Sequence, residues 1–383
     1  MVLPHPVRLA IVVLSAGLLA GLAPAAPDTE ILLDLNPTPA HPRNSEGSFV
    51  ALKSGRIALY FSQFGSGDQD EDSAQIAEIH TDDLGHTWSQ PVVVVHRGAV
   101  PNLMSVSVLR LASGRIALFY CEKYSRINCH PVMRISADEG ATWSAPVRVV
   151  PAPGYFVLNN DRIIQTARGR LIVPVAFQRS RRDVDDGRDV VDGRAIALWY
   201  YSDNEGDSWK ETATWWTLPM ASTAGMQEPG VVELADGTLF SWARTDQGEQ
   251  WACRSSDGGQ TWTPPAPTEL KSPIAPASIK RLPGSAALLA IFNDHSGRFA
   301  SAGPANSYTG RTPLVAAIST DGGRTWPLRR LLEDNPKGMF CYTGLFFVGD
   351  DVWLAYGAGD EHVPIFNRLR LRRFALAALR NPK

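Results

Sequence analysis

A single octet pattern, Ser/Thr-x-Asp-x-Gly-x-Thr/Ser-Trp, occurs five times along the chain. The copies are TDDLGHTW (81–88), SADEGATW (136–143), SDNEGDSW (202–209), SSDGGQTW (255–262) and STDGGRTW (319–326), with Asn204 in place of Asp in the third. Five copies at intervals of 53 to 66 residues indicate a structural repeat. The Asx side chain can bond nearby backbone N–H groups and the Gly accepts a positive φ, which is the chemistry of a tight turn between strands. We expect the octets to stabilise the fold rather than to form the active site.

A second repeat consists of a polar turn followed by an apolar strand, and it occurs six times. The six copies are SGRIALYF (54–61), SGRIALFY (113–120), RGRLIVPV (168–175), DGTLFSW (236–242), GSAALLAIF (284–292) and GDDVWLAYG (349–357). Short apolar strands between turns, with few helical periods, predict an all-β fold. Six units, most with an octet downstream, predict a six-bladed β-propeller. We expect one domain over residues 27–383, whose last blade is completed by the segment near Ile31–Leu35.

The composition and the N-terminal segment limit the location and the partners of the protein. A formal net charge of −2 with 20% charged residues gives no strong field for nucleic acid or an anionic membrane. Residues 1–26 combine Arg8, an apolar run over 9–22 and a small-residue exit, which predicts a cleaved secretory signal and a secreted or periplasmic protein. An uncleaved anchor is the alternative, and no later stretch is long enough to span a bilayer.

The four cysteines do not form a disulfide framework or a zinc spacing. Cys121 and Cys129 either close a small loop as a disulfide or remain thiols. We expect no metal and no cofactor, although the acidic run GDQDED (67–72) has three interpretations: an active-site loop, a solvated loop or a calcium contact.

The propeller places one set of polar residues at the start of the inner strands, on the rim opposite the octets. A pocket at this end of the axis is therefore expected, because six blades converge there. The candidate substrate contacts at this rim are Glu46, Asn102, Asn160, Asp161 and Arg162, with His295 and Arg298 from a loop that returns to it. His295 is either a loop histidine bonded within its own loop or a second acid/base.

Several spacings in these segments resemble the sialidase superfamily, over nearly all of the chain after the signal. In QEPGVVELADGTLFSWAR (227–244), Glu228 precedes Arg244 by 16 residues. Arg311 stands just before the final octet, and CYTGLFF (341–347) places Tyr342 where the family has its nucleophile.

Two further residues of the resemblance lie near the N-terminus. Arg43 precedes the first blade, and Asp70 follows 27 residues later. The surroundings of Arg43, HPRNSEGSF, depart from the family's Arg-Ile-Pro. Asp68 and Asp72 compete with Asp70 in the same loop.

The resemblance implies an exported retaining exo-sialidase, releasing sialic acid or a related nonulosonic acid. Arg43, Arg244 and Arg311 would hold the substrate carboxylate through charge-assisted bonds. Tyr342 would be the nucleophile, since a neutral phenol approaches a carboxylate without repulsion, and sialidases are known for this exception. Glu228 would take the phenolic proton, nearby arginines would lower the phenol pKa, and Asp70 would be the acid/base.

Two other function classes are compatible with the same residues. The pocket would also suit a glycosidase or polysaccharide lyase acting on a uronic acid, with His295 or Tyr342 as base. The second alternative is a glycan-binding propeller without catalysis, in which Tyr342 only lines the funnel and the arginines pair with surface carboxylates. In each case the partner is an acidic glycan or a protein, not nucleic acid.

Overall fold

The computed structural model describes residues 29–303, 308–364 and 366–379, so the predicted signal over 1–26 lies outside the described residues. Within these ranges nearly all regular structure is β-strand, and the one helical segment is a 3-10 turn over Leu376–Leu379. The strands form six antiparallel blades whose inner strands contact one another around an axis. The predicted all-β, six-bladed propeller is confirmed.

The strands are numbered in chain order, beginning with β1 (Thr29–Leu35). Blade one contains β2 (Asn44–Ala51), β3 (Ile57–Ser66), β4 (Ser73–Thr81) and β5 (Val92–Val95). Blade two contains β6 (Asn102–Arg110), β7 (Ile116–Ser125), β8 (Asn128–Ser136) and β9 (Val147–Arg148). Blade three contains β10 (Tyr155–Val157), β11 (Ile164–Gln165), β12 (Leu171–Gln178), β15 (Ile196–Ser202) and β16 (Lys210–Glu211), with the hairpin β13 (Ser180–Arg182) and β14 (Asp189–Val191) between β12 and β15.

The second half of the ring has the same plan. Blade four contains β17 (Gln227–Glu233), β18 (Leu239–Arg244), β19 (Glu249–Ser255) and β20 (Ala266–Lys271). Blade five contains β21 (Ser278–Arg281), β22 (Leu288–Asn293), β23 (Leu314–Ser319) and β24 (Leu328–Glu333). Blade six contains β25 (Met339–Val348), β26 (Asp351–Gly359), β27 (Leu369–Ala375) and, as its outer strand, β1.

The ring is closed by its first strand. β1 pairs antiparallel with β27, from Thr29 opposite Phe374 to Leu35 opposite Leu369. The outer strand of blade six therefore comes from the N-terminal side of the chain, as expected for the segment near Ile31–Leu35. This pairing ties together the two ends of the described chain and leaves no unpaired edge on β27.

Each octet forms the turn from the third to the fourth strand of its blade. In the first copy, Asp83 Oδ1 accepts from Thr81 Oγ1 at 2.8 Å and from the Thr87 amide at 2.9 Å, and Asp83 Oδ2 accepts from Thr87 Oγ1 at 2.7 Å. The bonds from Thr87, side chain first, lower the pKa of Asp83 to about 2. In the third copy, Asn204 Oδ1 accepts in the same way and Asn204 Nδ2 donates to Ser208 Oγ at 2.9 Å. An amide therefore replaces the carboxylate without losing a bond.

The interior of the ring is apolar and lies between neighbouring blades. Trp199 of blade three stacks on Trp262 of the fourth octet with ring centroids 4.4 Å apart, which shows how an octet Trp joins two blades. Cys121 and Cys129 are both buried free thiols. In the part of the chain that the structure describes, no helix is long and apolar enough to cross a membrane.

Candidate active site

A β-bulge recurs in the inner strands at the rim opposite the octets. The pairing slips by one residue after Ser45 in β2, Met104 in β6, Gln227 in β17 and Cys341 in β25. The extra residues at these bulges have left-handed φ values, which are 58° at Glu46, 66° at Ser105, 48° at Glu228 and 57° at Tyr342. Non-glycine residues adopt this region rarely, and bulges with such strain are enriched at functional sites. The bulges bring side chains of different blades into contact at the axis.

In blade three the inner strand is interrupted, and this break also brings side chains to the axis. Residues 158–163 separate β10 from β11, and Asp161 within this break has a φ of 56°. The break contains the polar run NNDR (159–162) noted in the sequence. Two side chains of this break bond to bulge residues of other blades: Asn159 bonds to Glu228, and Asn160 bonds to the carbonyl oxygen of Tyr342.

Tyr342 and Glu228 contact each other across the pocket. The Tyr342 hydroxyl donates to Glu228 Oε1 at 3.2 Å, and Arg244 Nη2 donates to the same oxygen at 3.0 Å. Asn159 Nδ2 donates to Glu228 Oε2 at 3.1 Å. Glu228 is thus held by an arginine and an amide while it accepts from the phenol, which is the geometry of a nucleophile and its base.

The phenol of Tyr342 is neutral at neutral pH. Burial and then the Glu228 carboxylate raise its pKa above the ordinary value, although Arg244 and Arg311 act in the opposite direction. The two arginines lower the phenol pKa as expected, but burial outweighs them, so the pKa lies above its ordinary value. Attack by the phenol oxygen needs a base, and Glu228 is in contact with it.

Arg43 and Asp70 form a close ion pair at the edge of the pocket. Arg43 Nη1 lies 2.7 Å from Asp70 Oδ1 and 3.1 Å from the Asp68 carbonyl oxygen. The Arg43 side chain is only 2% exposed, whereas that of Asp70 is 55% exposed. Burial alone would raise the pKa of Asp70, but Arg43 and then Lys123 outweigh it, so the pKa lies below its ordinary value. Asp70 is the accessible carboxylate of the pair.

The three aspartates of this loop have different contacts. Asp68 Oδ2 accepts from Asn367 Nδ2 at 3.1 Å, and Asp72 Oδ2 accepts from the Gln69 amide at 2.8 Å. The Asp72 carbonyl accepts from Asn102 Nδ2 at 2.7 Å. Of the three carboxylates, only that of Asp70 bonds to the Arg43 guanidinium, which favours Asp70 as the acid/base.

Glu46 is a second carboxyl group beside Arg43. Glu46 Oε1 lies 3.5 Å from Arg43 Nη2, and Glu46 Oε2 accepts from Ser105 Oγ at 2.7 Å. Burial raises the pKa of Glu46 to about 7, with Asp70 and Glu228 adding to the rise and Arg43 and Ser105 opposing it. Glu46 therefore changes charge close to neutral pH.

Arg311 and an aromatic side chain complete the wall around Tyr342. Arg311 Nη1 donates to Cys341 Sγ at 3.1 Å, and its guanidinium carbon lies 5.4 Å from the Tyr342 ring centroid. The Phe366 ring lies 5.6 Å from the Tyr342 ring and 4.9 Å from the Arg43 guanidinium carbon. Phe366 therefore contacts Tyr342, Arg43 and Arg311 together.

Below the Tyr342–Glu228 pair, a polar network closes the axis. Asp161 Oδ1 accepts from Lys280 Nζ at 2.8 Å and from Ser48 Oγ at 3.0 Å, and Asp161 Oδ2 accepts from the Leu345 amide at 2.8 Å. Arg162 Nη1 donates to Ser278 Oγ at 3.0 Å, and burial lowers the pKa of Arg162 to about 10. These bonds join blades one, three, five and six at the floor.

The pocket has more cations than carboxylate partners for them. Arg43, Arg244 and Lys280 each pair with a carboxylate, whereas Arg162 and Arg311 have none within 4.0 Å among the described residues. Buried guanidinium nitrogens of Arg162, Arg244 and Arg311 also lack a hydrogen-bond partner among the residues 29–303, 308–364 and 366–379. Buried donors without acceptors are costly, so this arrangement favours an anionic ligand.

Comparison with known proteins identifies the family. The sequence profile of the "BNR repeat-like domain" family matches residues 55–354. The chain belongs to this family of the sialidase superfamily. The match covers four of the six polar-turn strand repeats in full, parts of the first and the sixth, and all five octets.

The relatives of this BNR repeat-like protein include two sialidases. A sialidase of Bacteroides fragilis (strain YCH46) is 30% identical over 226 residues, which are 55% of this chain and 36% of that protein. A sialidase of Micromonospora viridifaciens is 27% identical over 254 residues, covering 60% of this chain and 34% of that protein. The chain thus spans about a third of the length of these relatives.

Solved structures share the fold. The Hadza microbial sialidase Hz136 superposes with a TM-score of 0.67 at 20% identity, over 88% of this chain and 67% of that one. The intramolecular trans-sialidase of Ruminococcus gnavus superposes with a TM-score of 0.66 at 17% identity, over 90% and 97% of the two chains. At these identities the superpositions establish the propeller fold of the BNR repeat-like protein.

Two of the predicted substrate contacts are bonded to backbone away from the Tyr342–Glu228 pair. His295 Nε2 lies 2.9 Å from the Gly310 carbonyl oxygen and 3.2 Å from that of Thr312, so it is a loop histidine bonded within its own loop. Exposed Arg298 donates to the Pro327 carbonyl at 2.9 Å. Asn160, by contrast, lies in the pocket and donates to the carbonyl oxygens of Gly47 and Tyr342, at 2.9 and 3.0 Å.

The sequence reasoning missed the aromatic residues of the site. Phe366 was not singled out, and neither was Tyr308, whose ring lies 5.6 Å from the Arg244 guanidinium carbon. Tyr308 lies in the loop between β22 and β23, and Phe366 lies in the loop between β26 and β27; neither loop carries a repeated pattern that could have marked them. No group of three or more His, Cys, Asp or Glu among the described residues is arranged to hold a metal ion.

Proposed function

We propose that this protein is an exo-acting glycoside hydrolase that removes a terminal sialic acid, or a related nonulosonic acid, with retention of configuration. The observation that carries the proposal is the contact between the Tyr342 hydroxyl and Glu228 Oε1 at 3.2 Å, with Arg244 on the same carboxylate. A phenol paired with a carboxylate base among arginines suits a substrate whose anomeric carbon bears a carboxylate.

In the first step, the Tyr342 oxygen bonds to the anomeric carbon as Glu228 takes the phenolic proton. The glycosidic C–O bond breaks, and the leaving oxygen takes a proton from Asp70. In the second step, Asp70 accepts a proton from water, whose oxygen attacks the anomeric carbon. The bond to Tyr342 breaks and Glu228 returns the proton to the phenol. Two displacements give net retention.

The substrate carboxylate is held by Arg244 and Arg311, with Arg43 shared between it and Asp70. Arg43 already donates to Asp70 at 2.7 Å, so a substrate anion competes for this guanidinium. The added negative charge raises the pKa of Asp70 on binding, because it opposes the effect of Arg43. The enzyme would thereby make its acid ready to donate a proton only when the substrate is bound.

The proposal is tested with an aryl sialoside and two variants. Wild-type protein should release the free acid with retention, Tyr342→Phe should lose nearly all turnover, and Arg298→Ala should remain as active as wild type. Full activity of Tyr342→Phe would rule out Tyr342 as the nucleophile. An unsaturated product absorbing in the ultraviolet from a uronic-acid glycan would instead support the lyase alternative.

The export of the protein is part of the proposal. Residues 1–26 are its signal and residues 27–383 its catalytic domain. N-terminal sequencing of the protein recovered from the periplasm or medium should begin near residue 27. A mature protein that retains residues 1–26 would contradict cleavage.

A further inference from the structure

Arg162 is a buried cation at the floor of the pocket, separate from the three arginines proposed to hold the substrate carboxylate. It is 2% exposed, and its Nη1 donates to Ser278 Oγ at 3.0 Å. Its Nε and Nη2 have no hydrogen-bond partner within the described part of the chain. Burial lowers the pKa of Arg162 to about 10, so the guanidinium remains charged at neutral pH. Because a buried charge without a counter-ion destabilises a fold, stability does not account for an arginine at this position.

Hydrogen bonds connect Arg162 to the strand that carries Tyr342. Ser278 Oγ, which accepts from Arg162, donates to the carbonyl oxygen of Thr343, the residue after Tyr342 in β25. Asn160, two residues before Arg162, donates to the carbonyl oxygen of Tyr342 at 3.0 Å. The guanidinium is thus linked through one side chain to the backbone beside the proposed nucleophile.

Arg162 also lies near the strand that carries Glu228. Its guanidinium carbon is 5.9 Å from the centroid of the Trp242 ring, and Trp242 pairs with Gly230, two residues after Glu228. Asn159, three residues before Arg162, donates to Glu228 Oε2 at 3.1 Å. The break in the inner strand of blade three therefore reaches the strand of the base as well as that of the nucleophile.

Two of the anionic groups that act on Arg162 belong to the proposed reaction. The charged form of Arg162 is stabilised by Asp161, Glu228 and ionised Tyr342, in that order. Asp161 Oδ1 already lies 2.8 Å from Lys280 Nζ. The charge of Arg162 is therefore left to act on the Tyr342–Glu228 pair.

The proposed reaction takes one negative charge away from this pair and then returns it. In the first step Glu228 accepts the phenolic proton and Asp70 gives its own proton to the leaving oxygen, so the negative charge passes from Glu228 to Asp70. In the second step Asp70 takes a proton from water and Glu228 returns its proton to the departing Tyr342 oxygen. A cation beneath the pair stabilises it when it is negative, so it opposes the first step and favours the second.

We propose that Arg162 is a positioning residue that acts through the Tyr342–Glu228 pair and speeds the release of Tyr342 from the glycosyl-enzyme. The inference rests on the proposed function, because it concerns the second step of that reaction. It goes beyond that function by giving a fourth arginine a role in turnover that is distinct from binding the substrate carboxylate.

The test separates the two steps with a sialosyl fluoride that carries a second fluorine at C3. Fluoride leaves as Tyr342 bonds to the anomeric carbon, and the fluorine at C3 slows the hydrolysis that follows. The rate at which activity is lost measures the first step, and its recovery after the probe is removed measures the second, both followed with an aryl sialoside. Arg162→Met has a similar length without the charge, whereas Arg162→Lys keeps the charge.

Arg162→Met should recover about tenfold more slowly than wild type while losing activity at least as fast, and Arg162→Lys should stay within about threefold of wild type in both rates. Equal slowing of both steps in Arg162→Met would indicate a merely structural role and overturn the inference. An unchanged recovery of Arg162→Met, or a recovery of Arg162→Lys as slow as that of Arg162→Met, would also overturn it. Arg162→Gln takes the place of Arg162→Met if the latter does not fold. Wild-type protein that the probe does not label at Tyr342 would overturn the proposed function itself, and with it this inference.

Discussion

Replacing Glu46 by Gln should change how the stability of the protein depends on pH. Burial raises the pKa of Glu46 from an ordinary value of 4.5 to about 7. Between these values the folded protein binds a proton that the unfolded chain releases, so the free energy of unfolding falls as pH rises through this window. The groups that face Glu46 are Arg43 and Ser105, which favour its charged form, and Asp70 and Glu228, which oppose it.

The size of the effect follows from the pKa. The pKa of Glu46 rises by about 2.5, and each pKa unit is worth about 1.36 kcal/mol. The free energy of unfolding is therefore lower by about 3 kcal/mol above neutral pH. About 2.5 kcal/mol of this stability is lost between about pH 5 and about pH 8. The remainder is lost below about pH 5, because the unfolded chain already begins to release the proton there. Gln has the size of Glu but does not ionise, so the variant should lack this slope.

The assay is equilibrium unfolding in urea, followed by tryptophan fluorescence, at several pH values across this window. The stability of wild type relative to Glu46→Gln should fall by about 2.5 kcal/mol from the acid to the alkaline end. Glu139→Gln is the matched control, because bonds from Arg110 and then Lys53 lower the pKa of Glu139 to about 2, below the window. Its difference from wild type should be constant with pH. A constant difference for Glu46→Gln as well would refute the raised pKa.

Three further outcomes are expected. Tyr342→Phe should lower kcat on an aryl sialoside by about 10³-fold or more with little change in KM, measured by steady-state kinetics, since the ring still packs on Phe366 while the attacking oxygen is gone. Asp321→Ala should lower the free energy of unfolding by about 1–3 kcal/mol in urea titrations, because the bonds from Ser319 and Thr325 are lost; an unchanged midpoint would contradict the role of the octet. Deleting residues 29–35 should lower the melting temperature sharply in thermal scans, since β27 loses its partner along its length, and a melting curve like that of wild type would exclude closure of the ring by β1.

The blades could be predicted from the sequence because they repeat. Each octet uses the same bonds, as in the pairing of Asp83 with Thr81 and Thr87, and five copies in register made the turn chemistry readable without any relative. The closing strand at Thr29–Leu35 followed from the count, since six units leave one outer strand to be supplied by the N-terminal side. The repeated motifs were therefore what made the fold predictable from the sequence.

The bulges of the site were not predicted, although several of their residues were. The polar character of Glu46, Glu228 and Tyr342 at the inner-strand starts was visible in the sequence. The slip in pairing that gives each of them a positive φ was not, because a bulge depends on the partner strand and not on the local pattern. The net rise in the phenol pKa was not predicted for a similar reason, because the burial that outweighs the arginines at Tyr342 is a property of the assembled ring.

The charges around Arg43 couple the binding of an anion to the pKa values of the neighbouring carboxyl groups. Arg43 lies between Asp70 at 2.7 Å and Glu46 at 3.5 Å, so its positive charge is shared between two carboxyl groups before any ligand arrives. An anion that draws Arg43 toward itself weakens both bonds and raises the pKa of both carboxyls. Because the pKa of Glu46 is already about 7, the same anion would keep the Glu46 carboxyl protonated and uncharged. In the proposed reaction, Glu46 would thus add a proton-binding group beside the arginine that is shared by the substrate carboxylate and Asp70.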